Sequence, residues 1–465
     1  MNFAELRFWE YLVAGLLAIG AIRWVVHQCQ PARLPLSDKL SLAGLGLFLL
    51  FCVSWVTLII YLVVAIGTYV GLAWVLRHHA RHAFKYLALL IPLQLTPLFF
   101  FKYTDFAVNR VLGLDIGLLQ GLVIPVGISF YTFQKVAFVI DTLALEYPMP
   151  RFLDYMNFAG FFPQIVAGPI ERRNDLLPQM ERFHFAWSAA NINEGAVWIV
   201  VGMFFKCCLA DNLAACFDRS STTNVFLIWM ANLVFGLRIY YDFAGYSLTA
   251  VGLARCLGVR LTLNFLSPYC STSITEFWRR WHITLSQWFR DYVFFPTTRQ
   301  VGWVMGVAVM FIVSGIWHGA GWNFVLWGGL HGACLIIHRL AGKKVQVPTF
   351  LAWTMTMLIC FCAWLCFYEL RIDLLRAKLL LIFNPAAYNW SALKLALHYW
   401  PPGEFTVLLG FLALAGCTLL IEWLSIRWHN EPYHYLKRPW ALPILIVLAV
   451  LLAPGTQSSF IYFAF

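Results

Sequence analysis

Apolar residues in this chain come in uninterrupted blocks, and the length of those blocks decides what it can become. Each runs for about 17–25 residues, enough for a helix to cross a hydrocarbon layer near 30 Å thick. The rest of the composition agrees. Hydrophobic residues make up 61% of the 465 and charged residues 12%, with a mean hydropathy of +0.73. Soluble domains carry roughly 45–50% apolar and about 25% charged residues. A water-soluble globule, a disordered chain and a soluble nucleic-acid-binding protein are excluded. The blocks define an all-α polytopic membrane protein.

Expected spans are Tyr11–His27, Leu40–Ile60, Tyr61–Leu76, Tyr86–Phe101, Ile116–Ile140, Gly195–Leu209 and Val225–Tyr241. Gly302–Trp317, Trp322–Ile337, Leu351–Phe367, Phe405–Ile421 and Ala441–Leu452 follow. That gives about 11–12 transmembrane helices. No internal repeat, low-complexity linker or independently folding insert interrupts them, so one membrane domain is expected over 1–465. Glu5, Arg7 and Glu10 precede a first block without a small-x-small end, which reads as a retained span rather than a cleaved signal.

The net charge of +11 comes from Lys and Arg in short loops. Arg23, Arg33 and Lys39 follow the first span, and Arg77, Arg81 and Lys85 the third. Arg172, Arg173 and Arg182 precede Gly195. Arg339, Lys343 and Lys344 follow Ile337, and Arg427, Lys437 and Arg438 precede the last span. All these loops fall on one side, which the positive-inside rule makes cytoplasmic, so both termini are expected outside. The charge therefore reads as topology and contact with membrane lipids, with no nucleic-acid partner.

Two segments do not fit simple spans. Phe158–Glu171 (FAGFFPQIVAGPIE) is apolar but holds two prolines and two glycines. Thr262–Pro296 is aromatic yet carries Glu276, Arg279, Arg280, His282, Arg290 and Asp291. Irregular backbone at membrane depth survives only when buried in protein or lining a wet cavity, so both are expected to be cavity walls. Within the second, Ser273 and Glu276 have capping-box spacing, so a helix starts there, and along it Trp278, His282 and Ser286 share a face. Ionisable groups in a membrane mark functional sites by default, whereas an amphipathic helix lying in the interface explains Arg279 and Arg280 equally well.

Ser314–His331 (SGIWHGAGWNFVLWGGLH) is a span broken after His318 by Gly319 and Gly321 and restarted at Trp322. Asn323, Trp327 and His331 then lie on one face. A histidine at a glycine-flanked break can meet a substrate near the backbone, and imidazole titrates near neutrality. His318 is therefore the first catalytic candidate, whereas His331 and His338 read as structural. The sequence holds no nucleophile elbow, since Tyr131 and Thr249 stand where Gly127-Ile-Ser129 and Gly245-Tyr-Ser247 would need glycine. It has no phosphate loop or dinucleotide fingerprint. Its 12 cysteines have no zinc-like spacing, so no metal and no resident cofactor are expected.

Phe161–Glu171, Tyr241–Asn264, Ser273–Tyr292 and Ser314–His331, with the closing Phe460–Phe465 (FIYFAF), together resemble the membrane-bound O-acyltransferases. Within that family they look most like the bacterial alginate O-acetylation branch. The pairing of WRRWH with WHG is the most specific part. The resemblance implies a ring of helices around a central tunnel, a catalytic core at about 155–340, and acyl transfer to a hydroxyl with His318 as catalytic residue. It places His282 in the same tunnel. By the loop count His318 lies nearer the outside and the 273–291 helix nearer the inside, so the segments must bend to meet. Phe295-Pro296-Thr297-Thr298 departs from the Ile-Pro-Leu-Gly-Gly-like stretch of relatives, and with it goes the reading of that loop. On this reading acetyl-CoA is the donor. Arg279 and Arg280 hold its phosphates, and Trp278, Trp317, Asn323 and Ser286 belong to the binding surface. Partners would be a periplasmic acetyltransferase and a polysaccharide synthesis and export complex, for alginate or cellulose. D-alanyl transfer to teichoic acid, a polymer or lipid transporter without chemistry, and a scaffold recruiting a periplasmic acetyltransferase are the alternatives. The aromatic segment Arg371–Pro402 suits a docking surface under all of them.

Overall fold

Inside hydrocarbon each backbone N–H and C=O must find a partner within its own segment, so apolar blocks become helices. The structure, a computed structural model, describes residues 3–114, 116, 124–216, 223–341, 347–455, 458, 460 and 461. Among these the chain is helical and has no strand. Nine described helices are long and apolar enough to cross a membrane, and Trp303–His318 and Ala441–Leu451 are shorter apolar helices. Side chains such as Leu17, Val63, Leu93 and Val450 face outward, as lipid-covered positions do.

The chain packs as two compact units, Met1–Ile199 with Thr249–Thr262, and Val200–Leu248 with Leu263–Phe465. The first opens with α1 (Leu6–Cys29), α2 (Leu34–Val53), α3 (Trp55–His78) and α4 (Leu87–Asp105). It continues through α5 (Ile128–Ala144), α6 (Phe152–Ala159), the single turn α7 (Phe162–Ile165) and α8 (Arg173–Glu181). The boundary expected at Ile60–Tyr61 lies at Ser54 instead. Ser54 is extended, and its Oγ accepts from Thr57 N–H at 3.2 Å, so a polar cap starts α3 where hydropathy shows no interruption. The span expected over Ile116–Ile140 is helical from Ile128, while 115 and 117–123 lie outside the described residues. Arg23 and Lys39, counted above as loop charges, form ion pairs with Asp38 (2.8 Å) and Asp154 (2.6 Å). Phe161–Glu171 is buried throughout. The Glu171 carboxylate accepts from Thr262 N–H (2.6 Å) and Thr262 Oγ1 (3.2 Å), and burial pushes its pKa up to about 7.

Helix α9 (Ala189–Met203) runs through a widened turn at Phe204–Ala210 into α10 (Asp211–Cys216), and α11 spans Val225–Cys256. The expected end at Tyr241 falls just before Asp242, fifteen residues short of the observed end at Cys256. In the fold that charge is buried against Lys206 at 2.7 Å, so the helix continues. Next come α12 (Ile274–Arg280), α13 (Ile283–Phe289), α14 (Phe295–Val301), α15 (Trp303–His318) and α16 (Trp322–Ala341). The second unit closes with α17 (Thr349–Tyr368), α18 (Ile372–Ile382), α19 (Trp390–His398), α20 (Pro402–His429) and α21 (Ala441–Leu451). Lys343 and Lys344 lie outside the described residues. Helices α15 and α16 cross at backbone contact. A Cβ on Gly315 would sit 2.2 Å from Phe324 O, and one on Gly328 would sit 2.2 Å from Phe311 O. Small residues at a crossing let helices approach where lipid gives no hydrophobic push.

Candidate active site

A helix starts at Ser273 as expected, with the serine half of the capping box formed and the glutamate reaching back to Thr272 instead of Ser273. Ser273 Oγ accepts from Glu276 N–H at 3.2 Å, and Glu276 Oε2 accepts from Thr272 N–H at 2.8 Å. The helix it starts is shorter than the sequence suggests. It ends at Arg280, Trp281 is extended, and His282 stands in the left-handed region at φ 42°, ψ 56° before α13 begins. The continuous face of Trp278, His282 and Ser286 therefore does not exist. Buried Asn264 explains the break. Its backbone carbonyl accepts from Ile283 N–H (2.9 Å), and its Oδ1 accepts from Thr284 N–H (3.2 Å) and Thr284 Oγ1 (2.6 Å). Leu266 N–H donates to Arg280 O at 3.0 Å. These bonds replace helical ones and fix His282 in a conformation that costs a non-glycine residue about 1–3 kcal/mol.

The second break falls as expected. His318 is the last residue of α15, and Gly319–Gly321 lead into α16. Asn323, Trp327 and His331 are buried together on α16, with Asn323 Nδ2 donating to Cys366 O at 2.7 Å. Aromatic rings join the two breaks. His282 packs perpendicular to Phe243 at 4.6 Å between centroids and lies 6.2 Å from Trp317, and Trp317 lies 4.8 Å from His318. His318 is further packed by Trp327 (4.9 Å) and Phe367 (5.1 Å). Both histidines are buried, with exposures of 1% and 4%. Trp317 is thus shared between them, and the breaks do bend to meet. His331 packs edge-on against Trp327 at 4.8 Å and is buried, whereas His338 is exposed beside Thr275.

A cavity of about 420 Å³ is lined by residues that include Trp278, Arg279, Ser286, Arg290, Ser314 and Arg339, but not by His282, Trp317 or His318. Trp278 and Phe311, in its wall, also pack on His331. The Thr262–Pro296 segment is a cavity wall as expected, whereas Phe158–Glu171 does not line this cavity. The two neighbouring arginines diverge. Arg279 is exposed and faces the cavity, while Arg280 pairs with Glu276 (2.8 Å) and donates to Leu266 O (3.1 Å). Arg279 is joined at the cavity by Arg290 and Arg339, which the sequence presents as a charge of the Thr262–Pro296 segment and a topology marker. Nothing in their spacing links them, because Arg290 follows α13 and Arg339 lies on α16, and only the fold brings both to the cavity. Asn264 and Phe243 were also missed, although both lie in the block Tyr241–Asn264. Among the described residues no group of three His, Cys, Asp or Glu is placed to hold a metal ion.

Two buried imidazoles sharing one indole, in the same unit as a basic-rimmed apolar cavity, suit proton transfer during a group transfer within a polytopic membrane protein. Comparison with known proteins makes the class specific. The sequence model of the membrane-bound O-acyltransferase family matches residues 46–375, and the chain belongs to that family. The chain is 32% identical over 408 residues to the peptidoglycan O-acetyltransferase of Helicobacter pylori, covering 78% of this chain and 76% of that one. It is 34% identical to the probable alginate O-acetylase of Pseudomonas aeruginosa, over 65% of this chain and 60% of that one. A teichoic acid D-alanyltransferase of Streptococcus thermophilus is 30% identical over 47% of this chain and 58% of its own length. The chain is an O-acyltransferase by family and a multi-pass membrane protein by its helices.

Proposed function

We propose that this protein acetylates an exported polysaccharide from the bacterial inner membrane, using acetyl-CoA from the cytoplasm. The observation that carries the reading is the sharing of Trp317 by His282 and His318 at two breaks in the helices. Acetyl is favoured over D-alanyl because the O-acetylating relatives match more of the chain than the D-alanyltransferase does.

In the reaction, the acceptor hydroxyl oxygen attacks the thioester carbonyl while His318 takes its proton. The C–S bond breaks, the CoA thiolate leaves, and the His318 imidazolium returns the proton to it. His282 orients the acyl group and stabilises the oxyanion, a role that grows in a water-excluded site. Arg279, with Arg290 and Arg339, holds donor phosphates at the cavity, and Trp278 and Ser286 line the path. Trp317 and Asn323 act behind this surface, the first between the histidines and the second by holding α16 to Cys366. Transfer proceeds to a periplasmic acetyltransferase partner or directly to the polymer, and both termini lie in the periplasm.

Secreted polymer and its acetyl content in a His282→Ala strain test this reading. Acetyl per sugar is expected to fall about 10²-fold while polymer yield holds. Lost secretion with unchanged acetyl content would replace the enzyme by a transporter. Arg279→Gln is expected to weaken acetyl-CoA binding, with the smaller effect on turnover once donor is saturating.

A further inference from the structure

A cation and two carboxylates are buried within the second unit, away from the cavity, and they hold the end of the chain. Lys206 Nζ lies 2.8 Å from Asp211 Oδ1 and 2.7 Å from Asp242 Oδ1, with all three side chains at most 5% exposed. The same ammonium donates to Ser458 O at 3.0 Å, and Ser458 Oγ donates to Asp211 Oδ1 at 2.5 Å. Asp242 Oδ2 accepts from the backbone N–H of Ile461 at 2.7 Å. A charge network of this kind is costly to bury unless each member is satisfied, and here part of the satisfaction comes from the tail. The tail delivers one ring in return. Phe460, fully buried, packs on Phe243 at 5.5 Å and on Tyr246 at 4.9 Å. Phe243 is the ring that packs perpendicular to His282 at 4.6 Å.

His282 needs such support. A non-glycine residue in the left-handed region stays there only when its surroundings over-determine it. Asn264 fixes the following backbone, and Phe243 packs against the ring. We propose that the segment after α21 is a positioning strap for His282, in which the Lys206–Asp211–Asp242 network seats Ser458 and Ile461 so that Phe460 backs Phe243. This inference rests on the reading of His282 and His318 as the reacting pair. Phe460 acts through Phe243 and is a positioning residue, and its loss leaves the cavity and Arg279 untouched.

The test uses the full chain in nanodiscs, with acetyl-CoA as donor and short alginate oligomers as acceptor. Phe460→Ala is expected to lower kcat about 10- to 100-fold, the scale on which small misplacements of a reacting group act, with KM for acetyl-CoA nearly unchanged. Phe460→Leu, which keeps the bulk, is expected to recover most of that loss. Lys206→Met alone leaves two carboxylates unpaired, so the network is tested by K206M, D211N and D242N together. That variant removes the charges at constant shape, and the same kcat-selective loss is expected at normal folded yield. Wild-type kcat in Phe460→Ala, or a loss shared by KM and folded fraction that Phe460→Leu does not recover, overturns the strap. His318→Ala run in parallel separates the two layers. If it is inactive while Phe460→Ala is normal, the strap alone fails; if it is fully active, the reading of the site fails and the strap with it.

Discussion

The breaks at His282 and His318 carry the same side chain in opposite ways. At His318 the helix simply stops. The residue keeps helical geometry and glycines make the exit, so hydrophobic pattern and glycine content suffice to locate it. At His282 nothing in the local sequence ends a helix. WRRWHITL has no glycine or proline, and the break is imposed by Asn264, about 20 residues earlier, which takes the hydrogen bonds of Ile283 and Thr284. One break is written into its segment. The other is held open by tertiary contacts and stores strain.

The largest effect that tests this contrast is at the unstrained site. His318→Ala is expected to cut acetyl transfer by about 10²–10⁴, the range for loss of a general base, with no loss of folded protein. Near-normal transfer at matched expression would remove the base assignment. At the strained site the choice of replacement matters. His282→Ala and His282→Gly both lose the imidazole, but glycine relieves the left-handed backbone. The glycine variant is expected to be about 1 kcal/mol more stable than the alanine variant in thermal unfolding, and equal stabilities would mean the backbone is not strained there. The α15–α16 crossing comes next. Gly328→Ala places a methyl 2.2 Å from Phe311 O and is expected to cost about 1–3 kcal/mol, whereas the exposed Gly329, with open space around it, tolerates alanine. A matched loss at both would show that the close crossing is not what Gly328 provides.

The smallest effect lies outside both breaks, at Glu171. Its pKa in the fold, about 7, is raised above its ordinary value of 4.5 by burial. The folded chain therefore binds the proton more tightly than the unfolded one, and the neutral form contributes stability that fades as pH rises from about 4.5 through 7. Glu171→Gln keeps a neutral acceptor for Thr262 at every pH. Its melting temperature is expected to match the parent near pH 5 and exceed it near pH 8, and a constant gap across that range would contradict the shift.

Sequence alone determined the class of fold, because apolar blocks of membrane length have few ways to satisfy their backbone except as helices. It determined the helix start at Ser273, the glycine break after His318 and the shared face of Asn323, Trp327 and His331, since each is a matter of spacing within a few residues. Tertiary structure decided what depended on partners far along the chain. Ser54 rather than Ile60 divides two helices. Asp242 does not end α11, because Lys206 neutralises it. Arg280 turns to Glu276 while Arg279 joins Arg290 and Arg339. His282 leaves its helix because Asn264 bonds the backbone that would have continued it. Local periodicity records which residues face the same way along one helix, whereas the pairing of a charge or the breaking of a hydrogen bond by a distant neighbour is fixed only when the helices pack.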